Sequence, residues 1–136
     1  MTGKLWALLH DGGFDAIEGT VPGDLNLEVH CRYLRQQFPS EGTGFRVVLH
    51  DCTRFDYQAY DGPLLTDLDD ILKADPELVS MTDQDGVITV NCVMGALTTQ
   101  YTLASIFLDS GIEISERMLE AASDAYWTDW AARNRV

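Results

Sequence analysis

Leu25, Leu27, Val29, Cys31 and Tyr33 alternate with Asn26, Glu28, His30 and Arg32. That period of two predicts a strand with one wet face. Upstream, Val21-Pro22-Gly23-Asp24 has the spacing of a type II turn, because proline presets φ and glycine accepts a positive one. A weaker strand precedes it over Phe14–Thr20, with Phe14 and Ile17 on opposite faces. Leu5–Leu9 is a short apolar opening that fits either a strand or a turn of helix, followed by the turn Asp11-Gly12-Gly13.

A second strong strand is predicted over Phe45–Phe55, where Phe45, Val47 and Leu49 share a face. The alternation shifts beyond His50, which predicts a bulge near Asp51. The loop Pro39–Gly44 joins the two strong strands as an antiparallel hairpin. Leu64, Leu65, Leu68, Ile71 and Leu72 leave a short helix and a strand both open, and Asp75-Pro76 ends that element. Leu78–Met81 and Val87–Met94 flank Asp83-Gln84-Asp85-Gly86, whose Asp-Gly is a hairpin signal. Leu97–Leu108 is predicted as one long strand, with a bend near Ala104.

Ser115 is placed to cap a last helix, with Ile114 and Leu119 as a hydrophobic staple. Leu119, Ala122, Tyr126 and Trp130 form its apolar stripe. The pattern predicts an α+β, mainly β domain spanning residues 1–136. It would be a bent antiparallel sheet or partly closed barrel with one C-terminal helix. The predicted core includes Leu27, Val29, Val47, Leu49, Ile88, Val90, Tyr101 and Leu119.

Composition changes this picture in one respect. The net charge is −13, and it is unevenly spread. Residues 1–54 hold seven acids and five bases, residues 55–116 twelve acids and one base, and residues 117–136 three of each. Such a field repels nucleic acid and anionic lipid and attracts cations. The predicted acidic face is carried by Asp67, Asp69, Asp70, Asp83 and Asp85, and the expected partner is a basic protein. No apolar run approaches the roughly 20 residues of a membrane span, and no signal-peptide pattern opens the chain, so a cytoplasmic location is expected.

Candidate chemistry is sparse. Cys31, Cys52 and Cys92 form no CxxC pair, which argues against a disulfide framework or a structural zinc site. His10-Asp11 and His50-Asp51-Cys52 could supply metal ligands or a general base, and facing strands could bring His30 and His50 together. Cys52 with either histidine as base lacks an activating loop-to-helix position. The acids at 67–77 lack the glycine and late glutamate of a calcium loop. No catalytic residue, metal or cofactor is therefore expected. His30, His50 and Trp127 are the candidates for a pocket or an interface.

Leu8-Leu9-His10-Asp11-Gly12, a strand, and then Asp24-Leu25-Asn26-Leu27-Glu28-Val29 resemble the start of certain small bacterial all-β proteins. These include immunity proteins of contact-dependent or polymorphic toxin systems. The resemblance covers residues 1–35 and implies a bacterial accessory protein that binds another protein. Two further readings stay open: a small-molecule-binding or enzymatic barrel with a pocket between sheet and helix, and a homodimer.

Overall fold

Leu25, Leu27 and Val29 are buried and their neighbours wet, as the alternation predicts, in a computed structural model that describes residues 3–134. The chain runs α1 (Lys4–Leu8), β1 (Gly13–Gly19), β2 (Gly23–His30), α2 (Arg32–Arg35), β3 (Gly44–Cys52), β4 (Arg54–Ala59) and β5 (Leu64–Leu65). It continues through α3 (Leu68–Ala74), β6 (Leu78–Gln84), β7 (Val87–Cys92), β8 (Gly95–Gln100), β9 (Leu103–Leu108), β10 (Glu113–Ile114) and α4 (Glu116–Arg133). The fold is α+β and mainly β, with two antiparallel sheets ordered β1-β2-β3-β9-β10 and β5-β4-β8-β7-β6. Among the described residues no helix is long and apolar enough to cross a membrane.

Two predicted strands are each divided between the sheets. Phe45–Phe55 breaks at Thr53 into β3 and β4, and Leu97–Leu108 breaks at Tyr101-Thr102 into β8 and β9. The partners stay the same across the break, since β3 pairs with β9 and β4 with β8. The crossings bond to each other: Thr53 N–H donates to the Gln100 carbonyl and Thr102 N–H to that of His50, both at 2.9 Å. Strands that change sheet in this way form the corner between two packed layers. The bulge predicted near Asp51 is present, with Asp51 at φ 53° and a register shift against Gly23/Leu25. The bend predicted near Ala104 falls earlier, at the crossing, leaving Leu103 exposed and Ala104 buried.

A second contact between the sheets stops short of closing a barrel. Gly13 bridges Glu77, Leu78 N–H donates to the Gly12 carbonyl, and Asp11 N–H donates to that of Leu78 at 2.7 Å. α3 lies against β1 and β5, with Ile71 buried beneath it. Its cap is Asp67, which accepts from the N–H groups of Asp69 and Asp70.

Other local expectations need correcting. β2 ends at His30, because the chain turns at Cys31, the N-cap of the short helix α2, and buries Cys31 and Leu34. The Val21–Pro22 peptide is cis and Gly23 has φ 145°, so the link between β1 and β2 is not a type II turn. Phe14 and Ile17 both face inward, because a bulge between Phe14 and Ala16 resets the alternation. Met94 is exposed beyond the end of β7. The open choice at residues 64–72 resolves into both forms, strand β5 and helix α3.

The core lies between the sheets. Leu27, Val47 and Ile106 stand in register on one layer, and Tyr57, Leu97 and Val90 on the other. All six are buried. Leu27→Ala is expected to cost about 2–5 kcal/mol in a urea titration. A loss under about half a kcal/mol would contradict its place in the middle of this layer.

Candidate functional site

The last helix outruns the body it packs on. Ser115 caps α4 by accepting from Met118 N–H at 3.1 Å, and Leu119, Ala122 and Ser123 are buried where the helix crosses α1 and α2. Tyr126 is half-buried, and every residue from Trp127 to Asn134 is exposed. The apolar stripe therefore continues past its support. Trp130, expected inside, is 45% exposed and Trp127 38%.

The rings at this end form a connected patch. Trp127 stacks on His10 with centroids 5.7 Å apart and planes 17° apart. Trp130 meets Trp127 edge-on at 5.8 Å, and Tyr126 meets both Trp127 and Tyr33. The Tyr33 hydroxyl donates to the His10 carbonyl at 3.0 Å and lies 3.2 Å from the His10 ring nitrogen Nε2. Burial pushes the Tyr33 phenol above its ordinary range, and the nearby Cys31 and Asp11 add to the rise. It is a neutral donor that fixes the loop after α1.

Asp11 begins a cleft of about 150 Å³ lined by Asp11, Gly12, Gly13, His30, Asp75, Pro76 and Glu77. The link between the sheets builds it, since Gly13 and Glu77 form the bridge described above. Asp11 and Asp75 sit in the left-handed region at φ 66° and 53°. A Cβ on Gly13 would fall 2.8 Å from the His30 ring, so glycine lets the backbone pass against the imidazole. His30 Nδ1 is 2.8 Å from Asp15 Oδ1. Among the described residues the Lys and Arg ion pairs go elsewhere: Lys4–Glu120, Arg35–Asp109, Arg54–Asp56 and Arg133–Asp129. Asp11, Asp75 and Glu77 enter none of them.

The structure separates other residues singled out in the sequence. His30 pairs with Gly44 at one end of β3, whereas His50, at the other end, lies 2.9 Å from Ser105 Oγ on the outer sheet face. Facing strands do not bring the two histidines together. Asp67, Asp69 and Asp70 sit at the start of α3 beside β5, while Asp83 lies near the end of β6 and Asp85 in the β6–β7 turn. β5 and β6 are opposite edges of their sheet, so these five carboxylates make two groups and not one face. Asp67 and Asp83 are also engaged in local turns, Asp83 accepting from Gly86 N–H.

Cys31, Cys52 and Cys92 are all buried thiols. Desolvation pushes Cys31 and Cys92 up to about 11 and raises Cys52, which donates to the Arg54 carbonyl. Buried, protonated thiols are inert as nucleophiles. Among the described residues no group of three or more His, Cys, Asp or Glu is placed to hold a metal ion.

Sequence reasoning weighed Asp11 beside His10 and the acids Asp75 and Glu77 as metal ligands, but it did not bring the three together in one cleft, and it did not single out Tyr33. The left-handed turns at Asp11-Gly12 and Asp75-Pro76 had a sequence signal, but their meeting depends on the pairing of residues 13 and 77. No family model, curated protein or solved structure matches the chain.

Proposed function

We propose that this chain is a non-enzymatic protein-binding domain for a basic protein, acting as an immunity- or inhibitor-like partner in a bacterial cytoplasm. The observation that carries the reading is the continuity of the aromatic patch with the acidic cleft through the neighbours His10 and Asp11. Tryptophan and tyrosine are enriched among residues that dominate protein interfaces. Carboxylates beside them without a Lys or Arg partner among the described residues favour a cationic partner and speed its approach. The cleft is smaller than the roughly 300–1,000 Å³ usual for small-molecule sites. The space between the sheets is filled with core side chains, which weighs against a ligand-binding barrel.

The test is affinity capture from extracts of the source cells, followed by titration of the purified partner at low and high salt. A basic protein whose affinity falls as salt rises is the expected result. A neutral or acidic partner, or salt-independent affinity, would overturn the proposal.

A further inference from the structure

We infer that the overhanging end of α4 is the docking surface, and that its occupant is a basic segment carrying arginine or lysine beside an apolar residue. This inference rests on the protein-binding reading above and adds where the partner lands and what it presents. Trp130 and the outer part of Trp127 offer apolar area that no other described residue covers, although Trp130 continues the stripe that buries Leu119 and Ala122. Indole faces also attract guanidinium and ammonium groups.

Charge complementarity selects the occupant. One cation at this end is already neutralised, Arg133 by Asp129 at 3.1 Å. Beyond His10, the cleft presents Asp11, Asp75 and Glu77 without a Lys or Arg partner among the described residues. An apolar side chain on the tryptophans and a cation reaching toward Asp11 would satisfy both halves. A second copy of the chain is disfavoured, because each carries −13 and the same acidic cleft.

Purified chain is titrated with a short labelled peptide of alternating arginine and leucine, and with counterparts holding glutamate for arginine or serine for leucine. The Trp127→Ala/Trp130→Ala variant leaves the buried face of α4 at Leu119 and Ala122 intact, and a urea midpoint close to wild type is the check that it folds. Asp11→Asn/Asp75→Asn/Glu77→Gln removes three charges from the cleft, and asparagine tolerates the left-handed backbone at Asp11 and Asp75. Asp69→Asn/Asp70→Asn/Asp85→Asn removes three charges elsewhere.

The arginine–leucine peptide is expected to bind wild type most tightly. The double tryptophan and cleft variants should each weaken it about tenfold or more, and the remote variant less than about threefold. Equal weakening by the two charge variants, or full affinity in the double tryptophan variant, would overturn the docking site and leave the basic-partner reading standing. Preference for the glutamate peptide would overturn both. A dimer in sedimentation that the double tryptophan variant loses would make the occupant a second copy and also overturn the inference.

Discussion

Asp109→Ala is expected to destabilise the fold by about 3–5 kcal/mol, read as a fall in the urea midpoint at neutral pH. The size comes from Arg35, whose side chain is 0% exposed, and not from the carboxylate, which keeps partial access to water. Arg35 Nε donates to Asp109 Oδ1 at 2.8 Å, and its other nitrogens donate to the Ser40 and Glu41 carbonyls and the Ser40 hydroxyl. Those acceptors remain in the variant, but none carries the opposite charge. A buried cation left without its anion costs more than a lost surface pair. The Thr43 and Gly44 N–H groups also lose Asp109 Oδ2, so the loop is released where it enters β3.

The pH dependence has a definite sign. Burial alone would raise the Asp109 pKa, but the Thr43 N–H, Arg35 and the Gly44 N–H outweigh it and hold the carboxyl below its ordinary value. A group whose pKa is lowered by folding contributes stability above the unfolded-state pKa and loses it as pH falls through the folded-state value. Wild type should therefore lose stability in acid more steeply than Asp109→Ala, and the two urea midpoints should converge. Asp109→Asn, which keeps an acceptor oxygen, should cost less than the alanine variant.

Trp6→Ala is expected to cost a further class of stability, about 3–5 kcal/mol. α1 is one short helix without a side-chain cap, and a segment of that length is not helical by its own propensity. It is held by what it buries. Trp6 and Leu5 are fully buried. The Trp6 indole N–H donates to the Tyr101 hydroxyl at 3.0 Å, and its ring meets Phe14 edge-on, which in turn meets Phe55. Tyr101 lies at the β8–β9 crossing, so this one side chain ties the first helix to the corner between the sheets. The check is a urea titration together with amide exchange over residues 4–9. Near-wild-type stability would mean that the core can close without α1.

Some of this was legible in the sequence because it is local. The alternation at Leu25, Leu27 and Val29, the Asp85-Gly86 turn and the Ser115 cap each depend on neighbours within a few positions, and each appears where expected. The division of residues 45–55 and 97–108 between two sheets was not legible. An inward-facing residue looks the same on either sheet, and only the crossing at Thr53 and Thr102 shows where one layer gives way to the other. Trp127 could be seen in the sequence to lie off the buried stripe, but its stacking on His10 depends on how α4 crosses α1. Trp130 illustrates the opposite failure. Helical spacing put it on the same side as Leu119 and Ala122, but periodicity carries no information about where the supporting surface stops, and Trp130 is exposed.

The strand borders bear on self-association into fibrils. An exposed, flat edge strand is a template for another chain, and proteins blunt such edges with short strands, bulges, charges or covering elements. Here β5 and β10 are only two residues long. β1 is bulged between Phe14 and Ala16, has α3 against it, and is pinned to Glu77 at its first residue. β6 is bulged between Leu78 and Ser80, has α1 against it, and carries Asp83 toward its end. A growing cross-β stack would find no long, regular row of main-chain donors and acceptors at any of these four borders. High concentrations of the folded protein should therefore remain free of strand-to-strand aggregation, even with two tryptophans standing in water.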